Sequence, residues 1–452
     1  MGRLFGTDGV RGLANRDITA ELAVDLAVSA AHVLADVGAF EGRSSDRPTA
    51  IVGRDTRASG EFLEAAVVAG LASAGVDVTV VGVIPTPAVA WLTASSGADL
   101  GVMLSASHNA MPDNGIKFFA RGGHKLADEI EDQIEQRLGE AWDRPTGADV
   151  GRVFVDADAG TRYVDYLLGT IDVDLSGLRV VVDCANGAAS RVSPEALRRA
   201  GAEVIAIHAS PDGWNINDGC GSTHVDALAE AVIEHSADVG IAHDGDADRC
   251  LALAADGSII DGDHILAILA TSLRDDGRLA GNTVVTTVMA NLGFKVAMEA
   301  AGIVVVETAV GDRYVLEEMR ARDYVLGGEQ SGHVVMSEFA TTGDGVLTAL
   351  HLLARMAQTG ESLGELAAMV EKFPQILVNV GGVDKGALDS NAAVRAALAQ
   401  AETELAGRGR VLLRPSGTEP VIRVMVEAAT SEDAERIAGA VAAVVSAELA
   451  LD

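Results

Sequence analysis

Asp238-Val-Gly-Ile-Ala-His-Asp244-Gly-Asp246-Ala-Asp248-Arg249 runs from a short apolar stretch directly into three carboxylates at alternate positions. A short apolar run bounded by polar residues reads as a buried strand, with the acidic residues on the loop at its end. Alternating carboxylates on one loop point the same way and repel one another unless a cation sits between them. All-oxygen ligation suits a hard ion such as Mg²⁺, Mn²⁺ or Ca²⁺ rather than zinc. An EF-hand opens with the same spacing, then needs glycine at its sixth position and glutamate at its twelfth. Those positions are Arg249 and Ala255, so the calcium-sensor loop is excluded. An arginine closing a metal loop suits a site that handles phosphate. The plain alternative is a solvated acidic turn.

Outward from this stretch, the strand-then-loop pattern recurs along all 452 residues. Short β-rich runs alternate with alanine-rich helical stretches, as in α/β units. A first helix follows Thr19 as N-cap, with Glu21 in its opening turn and Leu22, Leu26 and Val33 on one face. Strands are predicted at Ala50–Val52, Val78–Val83 and Leu100–Leu104, then a helix over Leu126–Leu138 and a polar break at Trp142-Asp-Arg-Pro-Thr-Gly147. The second cycle has strands at Arg179–Val182, Glu203–Ile207 and Val239–Ala242, with Ser193-Pro194 read as an N-cap and a proline at the first helical position. A third opens near Asp263, with strands at Thr283–Val288 and Val304–Glu307, and ends at Phe373-Pro374. The order then changes: a strand at Ile376–Val380, a helix from Ala392, strands at Val411–Leu413 and Val421–Val426, and a helix after Thr430-Ser431. Four domains are expected: α/β units over 1–155, 156–258 and 259–372, and a distinct C-terminal unit over 373–452.

Composition limits the function. Aromatics make up only 4%, glycine is abundant, and alanine and valine fill the apolar runs, a mix that favours α/β layers. The formal net charge of -32 argues against nucleic acid, because little positive surface remains to neutralise a polyphosphate backbone. Any anionic substrate then depends on local arginines and a bound cation. Cys184, Cys220 and Cys250 lie far apart with no CxxC, so neither a disulfide frame nor a zinc knuckle is expected. No secretory leader and no membrane span is read in the sequence, and a cytoplasmic enzyme is the expectation.

Five further stretches could carry chemistry. Leu100–Leu104 leads into Ser105-Ala-Ser107-His108-Asn109 and then Asp113-Asn-Gly-Ile-Lys117. A serine at the carboxyl end of such a strand lies where open α/β sheets place ligands. Neither serine has the G-x-S-x-G frame of a hydrolase elbow. Either one is a possible phosphoryl acceptor, with Lys117 as cation or proton shuttle; both could equally satisfy a turn. Gly327-Gly-Glu329-Gln-Ser331-Gly-His333 offers a carboxylate and a hydroxyl for vicinal sugar hydroxyls, while His333 reads equally as structural or catalytic. Arg414-Pro-Ser416-Gly417-Thr418-Glu419, followed by Arg423, forms a phosphate cradle or a structural turn. Phe5-Gly-Thr-Asp-Gly-Val-Arg11 and Gly53-Arg54-Asp55-Thr-Arg57 add arginine-bearing loops; Asp55 is expected to pair with Arg54 or Arg57 in solvent, in a structural role.

Together, Ser105-Ala-Ser107-His-Asn109, Asp244-Gly-Asp-Ala-Asp-Arg249, Gly328-Glu-Gln-Ser-Gly-His333 and Arg414-Pro-Ser-Gly-Thr418 resemble, in order and over the whole chain, the α-D-phosphohexomutase superfamily. The match is closer to its bacterial amino-sugar members, through Asn215-Ile-Asn217, Cys220-Gly-Ser-Thr-His224, Gly311-Asp-Arg-Tyr-Val315 and Gln330. Ala110 departs from the proline usual in the family after Ser-His-Asn, which should slightly loosen that loop. The resemblance implies three similar α/β domains with mixed sheets and a smaller α+β C-terminal domain around a central active-site cleft. It implies phosphoserine at Ser107, and one Mg²⁺ held by Asp244, Asp246, Asp248 and a phosphoserine oxygen. Glu329 and Ser331 would bind the sugar; Arg414, Ser416, Gly417, Thr418 and Arg423 the phosphate not being transferred. Arg11, Lys117 and Arg249 would surround the transferring group, with Lys117 or His333 as general base.

The implied reaction interconverts glucosamine 6-phosphate and glucosamine 1-phosphate through glucosamine 1,6-bisphosphate, supplying amino-sugar nucleotides and cell-wall precursors. Its partner is a phosphosugar, with no nucleic acid and no membrane. A homodimer is the assembly considered, and a kinase or autophosphorylation would first load Ser107. Three alternatives stand beside it. One is a glucose or mannose phosphate mutase of the same superfamily. Another is a haloacid-dehalogenase-type phosphatase with Asp244 as nucleophile and Asp246 as acid, which leaves the other motifs idle. The third is a non-catalytic sugar-phosphate sensor, which needs no acceptor serine beside a metal trio.

Overall fold

The apolar runs assemble into four sheets in a computed structural model that describes residues 3–6, 8–42, 45–416 and 421–451. Two compact units hold them: residues 1–289 with 303–368, and residues 290–302 with 369–452.

In the larger unit the first sheet has the order Val10–Leu13, Asp113–Ala120, Leu100–Leu104, Thr49–Arg54, Asp77–Val83, Val153–Val155. The four strands from Leu100–Leu104 outward run parallel, whereas Asp113–Ala120 is antiparallel to both its neighbours. Leu100–Leu104 is buried along its whole length, as a central parallel strand covered on both faces must be. The second sheet runs Ile259–Ile260, Leu251–Ala254, Val239–Ala242, Arg179–Asp183, Glu203–Ile207. The third runs Val304–Thr308, Thr283–Thr287, Leu326–Gly328, Val334–Met336. All three sheets are mixed for one reason: each follows a parallel strand with an antiparallel return. Leu104 pairs across to Ile116, Ala242 to Leu251, and Gly328 to Val334. The loop closing each return is the serine loop, the acidic loop or the glycine-rich loop respectively. The repeat is therefore topological, with each motif at the carboxyl end of the last parallel strand.

The smaller unit has an antiparallel sheet, Gln375–Gly381, Val421–Ala428, Gly409–Pro415, packed on helices Ala392–Leu405 and Ser431–Glu448. Val424, Val426, Ile437, Val441 and Val445 fill its core. Helix Leu292–Ala300 belongs here too, because Asn291 exchanges hydrogen bonds with the Phe373 backbone at 2.9 and 3.0 Å and Leu292 N–H donates to Glu427 at 2.9 Å.

Local signals behave as their chemistry requires. Thr19 caps helix Ala20–Asp36 through the Leu22 N–H, and Thr430 caps Ser431–Glu448 through the Asp433 N–H. One expectation is corrected: the second-cycle helix starts at Ala189, so Pro194 lies inside it. The proline there gives up one i→i−4 bond. Ser193 is no cap either, since its hydroxyl is 2.8 Å from His243 Nε2. Beyond the polar break at residues 142–147 the chain rejoins the first sheet, where Val153–Val155 pairs with Asp77–Val83. Among the described residues no helix is long and apolar enough to cross a membrane.

Candidate active site

The serine loop is held from beneath by a buried ion pair. Asp55 and Arg57 are 0% exposed, and Arg57 Nε lies 2.9 Å from Asp55 Oδ2. The remaining Arg57 N–H groups donate to the carbonyls of Ala110 and Asp113 (2.6 and 3.0 Å) and of Ser107 and Asn109 (3.0 and 2.8 Å). Ser105 Oγ donates to Asp55 at 2.7 Å and accepts the Ser107 N–H at 2.9 Å. Asn217 Nδ2 adds bonds to the Ser107 and Asn109 carbonyls at 2.8 and 3.0 Å. This clamp holds Ser107 at φ 51°, a left-handed conformation uncommon outside glycine. The expected pairing of Asp55 with Arg54 or Arg57 in solvent is corrected: Asp55 pairs with Arg57 in the interior, and Arg54 lies 3.3 Å from Glu64. Desolvation explains the difference, because a buried guanidinium needs all its protons accepted, and a loop rich in free carbonyls supplies the acceptors.

Arg57→Lys tests this clamp. A lysine keeps the charge but not the planar fork, so several loop carbonyls lose their donor. Turnover should fall by about 10²-fold, as for a reacting atom displaced by about 1 Å. Amide exchange over residues 105–113 should quicken. Unchanged exchange together with full turnover would show that the loop holds its shape without Arg57.

Ser107 Oγ is directed at the acidic loop and donates to Asp244 Oδ2 at 2.5 Å. Gly245 makes the approach possible, because a Cβ there would lie 2.5 Å from the Ser107 carbonyl oxygen. Asp244, Asp246 and Asp248 are buried, with one oxygen from each within 4.8 Å of the others. Asp246 Oδ1 and Asp248 Oδ1 have no hydrogen-bond partner. Burial and the charges of Asp248 and Asp246 push Asp244 well above the usual carboxylate range, and burial with Asp246 raises Asp248. Three mutually repelling carboxylates, two of them with a bare oxygen, are the donor set a hard divalent cation takes. The residues therefore fit such an ion.

Cations ring this trio. Lys117 Nζ lies 2.7 Å from Asp246, 2.8 Å from Asp8 and 3.9 Å from Asp248. Burial works against its charge, but these carboxylates outweigh it and raise the ammonium above its ordinary range. Burial likewise opposes charge on Asp246, and Lys117 overcomes it to hold Asp246 below the usual range. Arg11 pairs with Asp8 and reaches the Ala106 carbonyl at 3.4 Å. Arg249 donates its backbone N–H to Asp244 at 3.3 Å, while its buried Nε has no hydrogen-bond partner and lies 3.9 Å from Asp248. Burial, then Arg249 and Arg11, push His108 down to about 4, leaving a neutral imidazole 3.3 Å from Ser107 Oγ.

The glycine-rich loop joins the same region. The Cys250 N–H, directly after the acidic loop, donates to the Gly332 carbonyl at 3.0 Å. Burial raises Glu329, whose Oε1 accepts the Gly311 N–H at 3.2 Å. Ser331 Oγ and both ring nitrogens of His333 are buried without hydrogen-bond partners, and His333 Nε2 is 3.6 Å from Asp312. Three loops, with the strands Val10–Leu13 and Asp113–Ala120, thus bring Ser107, the aspartate trio, Lys117, Arg11, Arg249, Glu329, Ser331 and His333 together. Asp8, Lys125 and Asp312 were not singled out in the sequence: Lys125 bridges Asp8 and Asp312, joining the first and third sheets' loops. Asp8 and Asp312 lie in the quoted Phe5–Arg11 and Gly311–Val315 stretches, which could have pointed to them, whereas nothing local flags Lys125.

In the smaller unit Arg414 and Arg423 face each other as directly paired residues of adjacent antiparallel strands. Burial, then Arg423, lowers Arg414. Like charges placed opposite destabilise a sheet, and an anion between them removes that cost. Ser416 is buried beside them, and Lys385 Nζ donates to its carbonyl at 2.8 Å. Gly417 and Thr418 lie outside the described residues.

Sequence comparison agrees with this architecture. Profiles described as phosphoglucomutase/phosphomannomutase alpha/beta/alpha domains I, II and III and C-terminal domain match residues 2–143, 161–257, 261–373 and 377–444. The chain belongs to the phosphoglucomutase/phosphomannomutase family. Among its relatives, the phosphoglucosamine mutases of Streptomyces griseus, Acidothermus cellulolyticus and Thermobifida fusca are 65%, 66% and 62% identical. The alignments cover 99%, 99% and 100% of this chain and 100%, 96% and 100% of those proteins. The fold is shared with a phosphoglucomutase/phosphomannomutase family protein from Burkholderia thailandensis (TM-score 0.82, 23% identity, 99% of this chain and 97% of that one). It is shared also with Aspergillus fumigatus N-acetylphosphoglucosamine mutase, solved with GlcNAc-6P and magnesium (TM-score 0.66, 20% identity, 98% and 95% covered).

Proposed function

We propose that this chain is a phosphoglucosamine mutase that interconverts glucosamine 6-phosphate and glucosamine 1-phosphate, an isomerase working by intramolecular phosphoryl transfer. The observation that carries the reading is the Ser107 hydroxyl, 2.5 Å from Asp244 in a buried carboxylate trio in which Asp246 Oδ1 and Asp248 Oδ1 have no hydrogen-bond partner. That arrangement sits in a chain up to 66% identical, over nearly its whole length, to phosphoglucosamine mutases.

Ser107 carries the phosphoryl group in the resting enzyme. It delivers this group to the free end of the sugar phosphate, the P–O bond to Ser107 breaking as the bond to the sugar hydroxyl forms. The product is glucosamine 1,6-bisphosphate. After the bisphosphate turns over, Ser107 takes the other phosphoryl group, and the isomer leaves. Asp244, Asp246, Asp248 and a phosphoserine oxygen would hold Mg²⁺, which supplies charge neutralisation to the transferring group when bound. Arg11, Lys117 and Arg249 surround that group as fixed cations. Lys117, held charged by Asp246, Asp8 and Asp248, suits that part, which leaves His333 as the candidate base. Glu329 and Ser331 bind sugar hydroxyls, and Arg414, Ser416, Gly417, Thr418 and Arg423 grip the phosphate that does not react. We assign the four domains to 1–155, 156–258, 259–372 and 373–452, a cytoplasmic setting, and first loading of Ser107 by a kinase or by autophosphorylation.

Turnover of glucosamine, glucose and mannose 6-phosphates by the purified, phosphorylated protein tests this function. The amino sugar should be preferred in kcat/KM by at least about tenfold, the scale of one polar contact in a pocket. A preference for glucose or mannose phosphate would favour the hexose mutase reading instead.

A further inference from the structure

A second group of metal-ligating side chains converges apart from the aspartate trio: Asp183, His208 and Cys220, whose ligand atoms all lie within 4.8 Å of one another. Asp183 ends the strand Arg179–Asp183, His208 directly follows the strand Glu203–Ile207, and Cys220 lies on the loop after Asn217. Asp183 is fixed by its neighbours, with Oδ1 accepting the Ala185 N–H at 2.8 Å and Oδ2 the Gly221 N–H at 3.0 Å. His208 Nδ1 lies 2.9 Å from Oδ2. A proton bridges that gap, and it is also close to the roughly 3 Å between two ligands on one small cation. The backbone N–H groups of Asn217 and Asp218 point at the Cys220 sulfur, and the Asp218 carboxylate stands nearby. Asp183 and Cys220 are buried, while the His208 side chain is 31% exposed and offers an entry.

We propose that Asp183, His208 and Cys220 bind a thiolate-preferring divalent cation such as Zn²⁺, with Asp218 or water as fourth ligand. Sulfur, nitrogen and oxygen together suit zinc or cobalt, whereas magnesium keeps to oxygen. The chain then has two cation sites sorted by the softness of their donors. Burial, with Asp183 and Asp218 alongside, pushes the Cys220 thiol up to about 12. The incoming ion therefore displaces the thiol proton to solvent as the metal–sulfur bond forms. Asn217, three residues before Cys220, holds the Ser107 and Asn109 carbonyls, so a bound ion stiffens the segment beneath the serine loop.

Co²⁺ titrated into the full chain under saturating Mg²⁺ tests the site through thiolate-to-cobalt charge-transfer absorption. The absorption should saturate at a single equivalent, vanish in Cys220→Ser and persist in Asp246→Asn, which separates this site from the trio. His208→Asn should weaken Co²⁺ binding by at least about tenfold, and asparagine tolerates the φ of 44° at that position. No absorption in the natural protein, survival of the band in Cys220→Ser, or its loss in Asp246→Asn would overturn the proposal. Should Cys220→Ser fail to fold by circular dichroism, His208→Asn carries the test, and undiminished Co²⁺ binding there refutes it.

Discussion

Ser107→Ala is expected to remove glucosamine phosphate interconversion by at least about 10⁴-fold, the scale on which a covalent catalyst loses activity with its nucleophile. The substitution deletes one oxygen whose contacts are Asp244 Oδ2 and His108 Nδ1. The backbone around it keeps its anchors, because Arg57 and Asn217 bind the carbonyl of residue 107 and Ser105 binds its N–H. Both serine and alanine bear the cost of φ 51°, so the thermal midpoint should stay within a few degrees of the natural protein's. Intact-mass analysis should show the phosphoryl increment lost with the activity. Ser105→Ala provides the contrast: its hydroxyl is spent on Asp55 and the Ser107 N–H, so that variant should still carry phosphate while turning over more slowly. Normal turnover in Ser107→Ala, or phosphate retained on Ser105, would end the assignment.

What the sequence made readable were the strands and the loops that end them. Leu100–Leu104 and Val239–Ala242 fall where the apolar runs placed them, since buried parallel strands write themselves as uninterrupted aliphatic stretches. The antiparallel returns were harder. Asp113–Ala120 opens with Asp-Asn-Gly, turn residues by composition, yet it forms ladders with strands on both sides. Tertiary pairing overrode local preference there. Arg57 was read as a surface charge because a guanidinium is rarely interior, and only the fold shows four loop carbonyls converging on it. The attachment of Leu292–Ala300 to the C-terminal unit rests on partners 82 and 135 residues away, such as Phe373 and Glu427, which no local pattern encodes.

Charge follows the same division between local and assembled information. A net charge of -32 predicts a surface that repels phosphates, and the site answers by gathering cations locally. Arg11, Lys117, Lys125 and Arg249 all lie in the larger unit within ion-pair reach of Asp8, Asp246, Asp248 or Asp312. Buried pairs of this kind are costly to desolvate and do little for stability by themselves. On the proposed function they offer a phosphoryl group fixed positive charge that needs no reorganisation during transfer.

Asp246→Asn should raise the Mg²⁺ concentration for half-maximal activity by at least about tenfold and cut turnover at saturating Mg²⁺ by about 10²–10³-fold, as expected when a charged metal ligand becomes neutral. The side chain has two duties in the structure. Oδ1 is the bare oxygen available to a cation, and Oδ2 is committed to Thr86 at 2.6 Å and Lys117 at 2.7 Å. Asparagine preserves the shape but neutralises both contacts. Lys117 keeps Asp8 at 2.8 Å, so a buried ammonium is not left alone and the chain should still fold. The two duties separate in measurement. Calorimetric titration of Mg²⁺ reports the ligand role without turnover, whereas the turnover that remains at saturating metal reports the misplaced lysine. Asp248→Asn, whose carboxylate stands 3.9 Å from Lys117, should show the metal shift with a smaller loss of saturated turnover. An unchanged Mg²⁺ titration in Asp246→Asn would place the ion elsewhere and remove the link between the acidic loop and the transferring phosphoryl group.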